Sequence, residues 1–180
     1  MKLALENYYL RLDKLYFKEY GTHPTVSYIP ELCDEMLISD VDDDGEIQWK
    51  MVPIEPFDVD KIFSCIGVRP SDELSELYSS YYFAQLCGKI GNTIYYFDAN
   101  ALYKNRIDDL ILLQYNNAKH YFPNKEYFLV GTASVDGADD YLLFYDNKEK
   151  MVHLYDGDSG CLKNNIGNIK YIINNMEACE

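Results

Sequence analysis

Leu3, Leu5, Tyr9, Leu12, Leu15, Tyr16 and Tyr20 recur at helical spacing, and Gly21 with Pro24 stops the pattern, so residues 3–20 read as an amphipathic first helix. After it the periodicity is lost. Pro30, a run of carboxylates and Gly45 imply an irregular exposed segment, followed by a strand at Ile47 to Val52 that Pro53 and Pro56 close off. Asp58 to Cys65 reads as a short helix. A second one starts from Ser71 as N-cap, carries Glu73 and Glu76 early, and runs through Leu74, Leu77 and Tyr78.

Tyr81 to Phe97 changes to strand-forming residues punctuated by glycines and reads as a hairpin, with its turn at either Gly88 or Gly91-Asn92. Ala101 to Ala118 carries Leu102, Ile107, Leu110, Ile111, Leu112 and Leu113 on a broad apolar face, the mark of another helix. Three strands follow at Tyr127 to Thr132, Tyr141 to Tyr145 and Met151 to Tyr155. They are linked by turn material at Asp136-Gly137-Ala138-Asp139-Asp140 and Asp146-Asn147-Lys148, and Ile166 to Met176 reads as a closing helix. Helices at both ends and between strand groups predict an α+β fold, with helices packed on a largely antiparallel, partly mixed sheet. No internal repeat is evident, and 180 residues fit one domain spanning 1–180.

Charge changes this picture at one place. Between residues 31 and 60 the chain holds Glu31, Asp34, Glu35, Asp40, Asp42, Asp43, Asp44, Glu46, Glu55, Asp58 and Asp60 against Lys50 alone, a formal −10 out of −14 for the whole chain. Such a surface repels nucleic acid and acidic membranes and steers basic proteins towards it, although a solvated loop that only aids solubility has the same composition. Hydrophobic residues at 48% argue against disorder, and the 18 tyrosines supply rings suited equally to a core edge and to an interface. No apolar run is long enough to cross a bilayer and no signal-like segment forms at the start, so a cytoplasmic protein is expected.

Tests for chemistry are mostly negative. The five cysteines are widely spaced and odd in number, which suits thiols better than a disulfide framework, and His23, His120 and His153 have no zinc-site spacing. Asp40, Asp42, Asp44 and Gly45 occupy positions 1, 3, 5 and 6 of a calcium-loop pattern, but Met51 stands where the closing glutamate belongs. Asp156-Gly157-Asp158-Ser159-Gly160 reads as a loop after a strand. No glycine-rich stretch fits a phosphate-binding loop, and Ser159 with His153 and Asp156 lacks a nucleophile-elbow context. Neither an enzyme nor a cofactor or metal site is expected. Trp49, Tyr78, Tyr81, Tyr82, Tyr95 and Tyr96 straddle strand alternation, which would turn some of them towards a partner and others into the groove between sheet and helices.

The order of these motifs resembles the Syd family of SecY-interacting proteins, within the broad SUKH superfamily. The resemblance runs from the tyrosine-rich helix ending near Gly21-Thr22-His23-Pro24, through Glu31-Leu32-Cys33, Ile47-Gln48-Trp49-Lys50-Met51-Val52-Pro53 and Glu55-Pro56-Phe57. It continues through Ser71-Asp72-Glu73-Leu74-Ser75-Glu76-Leu77-Tyr78, the Gly88-to-Phe97 hairpin and Tyr127-Phe128-Leu129-Val130-Gly131-Thr132, covering most of residues 8–175. Each short motif is only moderately specific. The concentration of acid at Asp40 to Glu46, and Asp136, Asp139 and Asp140 further on, depart from the pattern and suggest a specialised partner.

The resemblance implies a SUKH/Syd-like α+β domain whose sheet supports a protein-binding groove. It implies one of two roles: an immunity protein that neutralises a basic polymorphic toxin, most simply a nuclease, or a Syd-like factor that engages the cytoplasmic face of the SecY translocon. A nuclease channel built for phosphates would also attract carboxylates, and inhibition would then be by occupation. Asp42, Asp43, Asp44 and Glu46 are the residues expected to capture the partner electrostatically, with Trp49 and Tyr78 as aromatic anchors. No direct nucleic-acid binding is expected, and membrane contact only through a protein partner.

Overall fold

In the computed structural model, which describes residues 1–179, the first helix α1 (Lys2–Glu19) buries Ala4, Leu5, Tyr8, Leu12 and Tyr16, one stripe at spacings of three and four. Leu3 and Tyr20, which the sequence pattern places with that face, point to solvent. The chain then forms β1 (Thr25–Ser27), β2 (Glu46–Gln48), β3 (Val52–Pro53), α2 (Val59–Cys65), α3 (Asp72–Ser80), β4 (Tyr81–Tyr82), β5 (Cys87–Ile90), β6 (Thr93–Phe97) and α4 (Ile107–Tyr121). It ends with β7 (Tyr127–Val135), β8 (Ala138–Asp146), β9 (Met151–Asp156), β10 (Cys161–Gly167), α5 (Ile169–Asn175) and β11 (Glu177–Ala178).

Seven strands make one sheet in the order β10-β9-β8-β7-β6-β5-β11, with every neighbouring pair antiparallel. The central meander needs only tight connections. Asp136 and Gly137 sit at φ 53° and 83° between Val135 and its partner Ala138, the left-handed pair that a two-residue hairpin with native twist requires. Asp139 and Asp140 therefore lie within β8, not in the turn that their composition suggests. The hairpin of β5 and β6 turns at Gly91-Asn92, which settles the choice between the two glycine positions. β1 pairs with β2 and β3 with β4 in two small ribbons outside the main sheet.

Alternation sends Leu143, Tyr145 and Val152 into the main core, shared with Leu5, Leu12, Phe63, Leu74, Phe128 and Ile172 from the other elements. Phe144 turns to the opposite face, where Tyr127 and Ala118 join it in a smaller cluster with Phe122 packed alongside. The result is an α+β domain, helices packed on an antiparallel sheet.

Capping residues mark the helix starts. Asp58 Oδ1 accepts from the Lys61 amide at 3.0 Å, and the Ser71 hydroxyl accepts from Leu74 N–H at 3.3 Å. Three expected elements are altered. Of the hairpin expected over Tyr81 to Phe97 only β5 and β6 pair with each other, and Tyr81–Tyr82 pairs with β3 instead. The strand at Ile47 to Val52 divides into β2 and β3, because Trp49 leaves the ribbon to bridge Leu37 and Lys50 N–H donates to Met36 C=O. The helix expected from Ala101 starts at Ile107, after a single 3₁₀ turn at Ala101–Tyr103 and a residue at positive φ, Asn105.

Candidate functional site

Asp42, Asp43 and Asp44 stand exposed on the connection that returns the chain from β1 to β2. The loop holds its own shape. Asp42 Oδ1 accepts from the amides of Asp44 at 3.0 Å and Glu46 at 2.8 Å, Gly45 N–H donates to Asp42 C=O, and Gly45 takes φ 82° to close the turn. Among the described residues, no side-chain hydrogen bond or ion pair engages the carboxylates of Asp40, Asp43 and Asp44. Glu46 is different, since it is half-buried in β2 and accepts from the Ser27 hydroxyl at 2.6 Å.

Apolar side chains border this charge. Tyr28, Ile29, Ile38 and Val41 are all exposed. Tyr28 N–H donates to Gly45 C=O at 2.9 Å and Ile38 N–H to Gln48 C=O at 3.0 Å, so both residues flank the stem of the acidic loop. Exposed carboxylates beside exposed aromatic and branched side chains give a surface that can both steer and seat a basic protein. These four bordering residues escaped the sequence reading, because the segment carrying them has no periodicity that would assign a face.

The two aromatic anchors do not join them. Trp49 has no exposed surface: it packs against Tyr9 with ring centroids 5.4 Å apart, and Tyr9 Oη donates to Trp49 C=O at 2.8 Å. Tyr78 is likewise buried, with Phe63 beside its ring and its hydroxyl donating to Gln114. Each ring is enclosed by segments far away in sequence, and in this structure neither is presented to a partner. Of the six residues expected to bind, Asp42, Asp43 and Asp44 lie together on the surface, Glu46 lies at their base, and Trp49 and Tyr78 belong to the core.

Beside the same acidic stretch lies an open cleft of about 550 Å³, lined by Cys33, Glu35, Val52 to Phe57, Ile62, Tyr82, Lys104, Asn105, Ile107 and Asp108. Its walls mix apolar and polar side chains in comparable measure, and Lys104 is its one basic side chain. The Lys104 ammonium binds the Glu35 carboxylate, which holds Glu35 at about 2, and Cys33 Sγ lies 3.2 Å from Glu35 Oε2. Burial, followed by Glu35, pushes the Cys33 thiol up, so it stays protonated and is a poor nucleophile. The cleft wall from Val52 to Phe57 lies in the same acid-rich stretch as the loop at 40–46.

The Asp156 to Gly160 segment is the turn between β9 and β10. Its leading carboxylate accepts from the amides of Asp158 and Ser159 and pairs with Lys163 at 3.0 Å, which holds Asp156 at about 2. No helix among the described residues is long and apolar enough to cross a membrane. No family model matches the chain, and no curated protein matches it.

Proposed function

We propose that this chain is a non-catalytic binding protein of SUKH/Syd-like fold that neutralises a basic toxin, with a nuclease as the favoured target. The observation that supports this most directly is the exposed loop of Asp42, Asp43 and Asp44, rimmed by Tyr28, Ile29, Ile38 and Val41. The carboxylates imitate the charge of a phosphate backbone, and the bordering side chains supply apolar contact once the partner has arrived. Inhibition is by occupation of the cationic channel, with no chemical step on this chain.

The test is capture from the native lysate at low and physiological salt, identification of what is bound, and assay of the recovered protein's nuclease activity with and without this chain. A basic nuclease that the chain inhibits at one-to-one stoichiometry supports the proposal. Recovery of SecY without any inhibited nuclease overturns it in favour of the translocon-associated role.

A further inference from the structure

At the tip of the hairpin formed by β8 and β9, three potential ligands meet that no feature of the acidic surface involves. Asp146 closes β8 and is buried, with Oδ1 accepting from the turn amides of Lys148 at 2.8 Å and Glu149 at 3.0 Å. Lys150, at φ 57°, completes the turn by donating its N–H to Asp146 C=O. Glu149 extends from this turn towards His153 on the following strand, and its Oε2 lies 3.5 Å from His153 Nε2. One ligand atom from each of Asp146, Glu149 and His153 lies within 4.8 Å of the other two.

The histidine is the informative member. Its side chain is only 12% exposed, and its ring stacks on Tyr127 with centroids 6.0 Å apart and planes 14° from parallel. Nε2 is screened from solvent and makes no hydrogen bond among the described residues. Leaving a buried imidazole nitrogen without a hydrogen bond is unfavourable, so such an atom calls for a partner. The neighbouring basic groups do not supply one: Lys148 Nζ is held by Glu126 at 3.0 Å, and Lys150 is exposed.

We propose that Asp146, Glu149 and His153 bind a divalent transition-metal ion of the zinc class. One imidazole and two carboxylates suit that class, whereas calcium and magnesium prefer all-oxygen shells. Zinc–ligand bonds of about 2.0–2.2 Å place tetrahedral ligands roughly 3.3–3.5 Å apart. The Glu149–His153 separation meets this already, and the exposed Glu149 side chain has the freedom to close on Asp146. Three protein ligands leave a fourth position for water. The ion would staple the turn to β9 and stabilise the folded state in proportion to its occupancy.

The spacing Asp-x₂-Glu-x₃-His would share one face of a helix, but here it is a tight turn between β8 and β9 that brings the three side chains together.

The experiment titrates zinc chloride, and separately cobalt chloride, into the full chain stripped with chelator, reading stoichiometry by calorimetry, melting temperature by scanning calorimetry and the cobalt spectrum. One equivalent should bind, raise the melting temperature, and give a tetrahedral cobalt spectrum without a thiolate charge-transfer band. Glu149→Gln, an exposed change that leaves the hairpin turn intact, should weaken binding by about tenfold or more, on the scale by which altered ligand environments lower metal affinity, with the metal-free melting temperature unchanged. His153→Gln should abolish it. Cys87→Ser, which removes one of the two thiols that meet at Cys87 and Cys179 with their sulfurs 2.6 Å apart, should bind as the wild type does. The proposal is overturned by the absence of zinc binding at about 100 μM, a Kd that corresponds to roughly −5.5 kcal/mol of binding free energy. Wild-type affinity in either the Glu149→Gln or the His153→Gln variant, or a thiolate band that Cys87→Ser removes, would also overturn it.

Discussion

The Tyr78 hydroxyl donates to Gln114, whose amide continues the chain to Asp98 Oδ2 at 2.8 Å, so three polar groups are linked in sequence from the buried Tyr78 and Gln114 to Asp98, an exposed residue whose bonded carboxyl is partly enclosed. Tyr78→Phe leaves the Gln114 carbonyl buried without its donor, a loss of about 1–3 kcal/mol in unfolding free energy by urea titration. Affinity for a basic partner should not change, and a drop in affinity at unchanged stability would return Tyr78 to the interface. Asp98, at the end of the chain, has its carboxyl pushed above the usual 3.8, chiefly by burial. The folded state therefore holds this proton more tightly than the unfolded chain does. The stabilisation this contributes is fully present below 3.8 and is lost as pH rises from there through the elevated folded value. Subtracting the stability of Asp98→Asn from that of the wild type should give a difference that falls across this acidic window and is flat above it. A difference that rises there would mean that the carboxyl is stabilised as an anion.

At the scale of elements, much of the architecture was legible and the exceptions have physical causes. α1, α3 and the β7 to β9 meander carry strong periodicity, or a cap such as Ser71 that local chemistry alone determines. β10 was missed because Cys161 to Gly167 is a bulged edge strand, paired with β9 through shifted register and without alternating apolar residues. Trp49 and Tyr78 were misplaced for a non-local reason, since Tyr9 and Gln114 decide their burial from 40 and 36 residues away. The acidic loop was plain in composition, whereas Tyr28, Ile29, Ile38 and Val41 beside it, and the Asp146, Glu149 and His153 cluster, needed coordinates. Glycine shows the same divide. Gly131 lies where β7 bulges in its pairing with β8 and reads as an ordinary strand residue, yet a Cβ there would lie 2.0 Å from Tyr96 C=O, where β7 pairs in regular register with β6. Gly131→Ala must push these two central strands apart, and a loss of at least about 1–3 kcal/mol is expected by chemical denaturation. An unaltered midpoint would show that the bulge relaxes freely.

For the whole molecule, the decisive property is the uneven distribution of charge: −10 of the net −14 lies within residues 31–60. A concentrated field acts before contact, by raising the rate at which a cationic partner arrives in a productive orientation, and salt weakens it because the screening length is only about 8 Å at physiological ionic strength. Short-range apolar contacts at Tyr28, Ile29, Ile38 and Val41 govern departure instead. The two contributions are separable because the loop's carboxylates have different tasks. Asp42 shapes the turn through the amides of Asp44 and Glu46, while Asp43 and Asp44 are committed to no such bond through their side chains among the described residues. Asp43→Asn with Asp44→Asn should therefore keep the melting temperature, lower the association rate with the captured partner several-fold at low salt, and flatten its salt dependence. The dissociation rate should barely move. Tyr28→Ser should do the reverse, raising the dissociation rate while leaving the salt slope intact. If the double asparagine variant associates as fast as the wild type and with the same salt slope, the acidic loop is a solvated appendage, and the binding surface must be sought elsewhere, first in the cleft between Val52–Phe57 and Lys104.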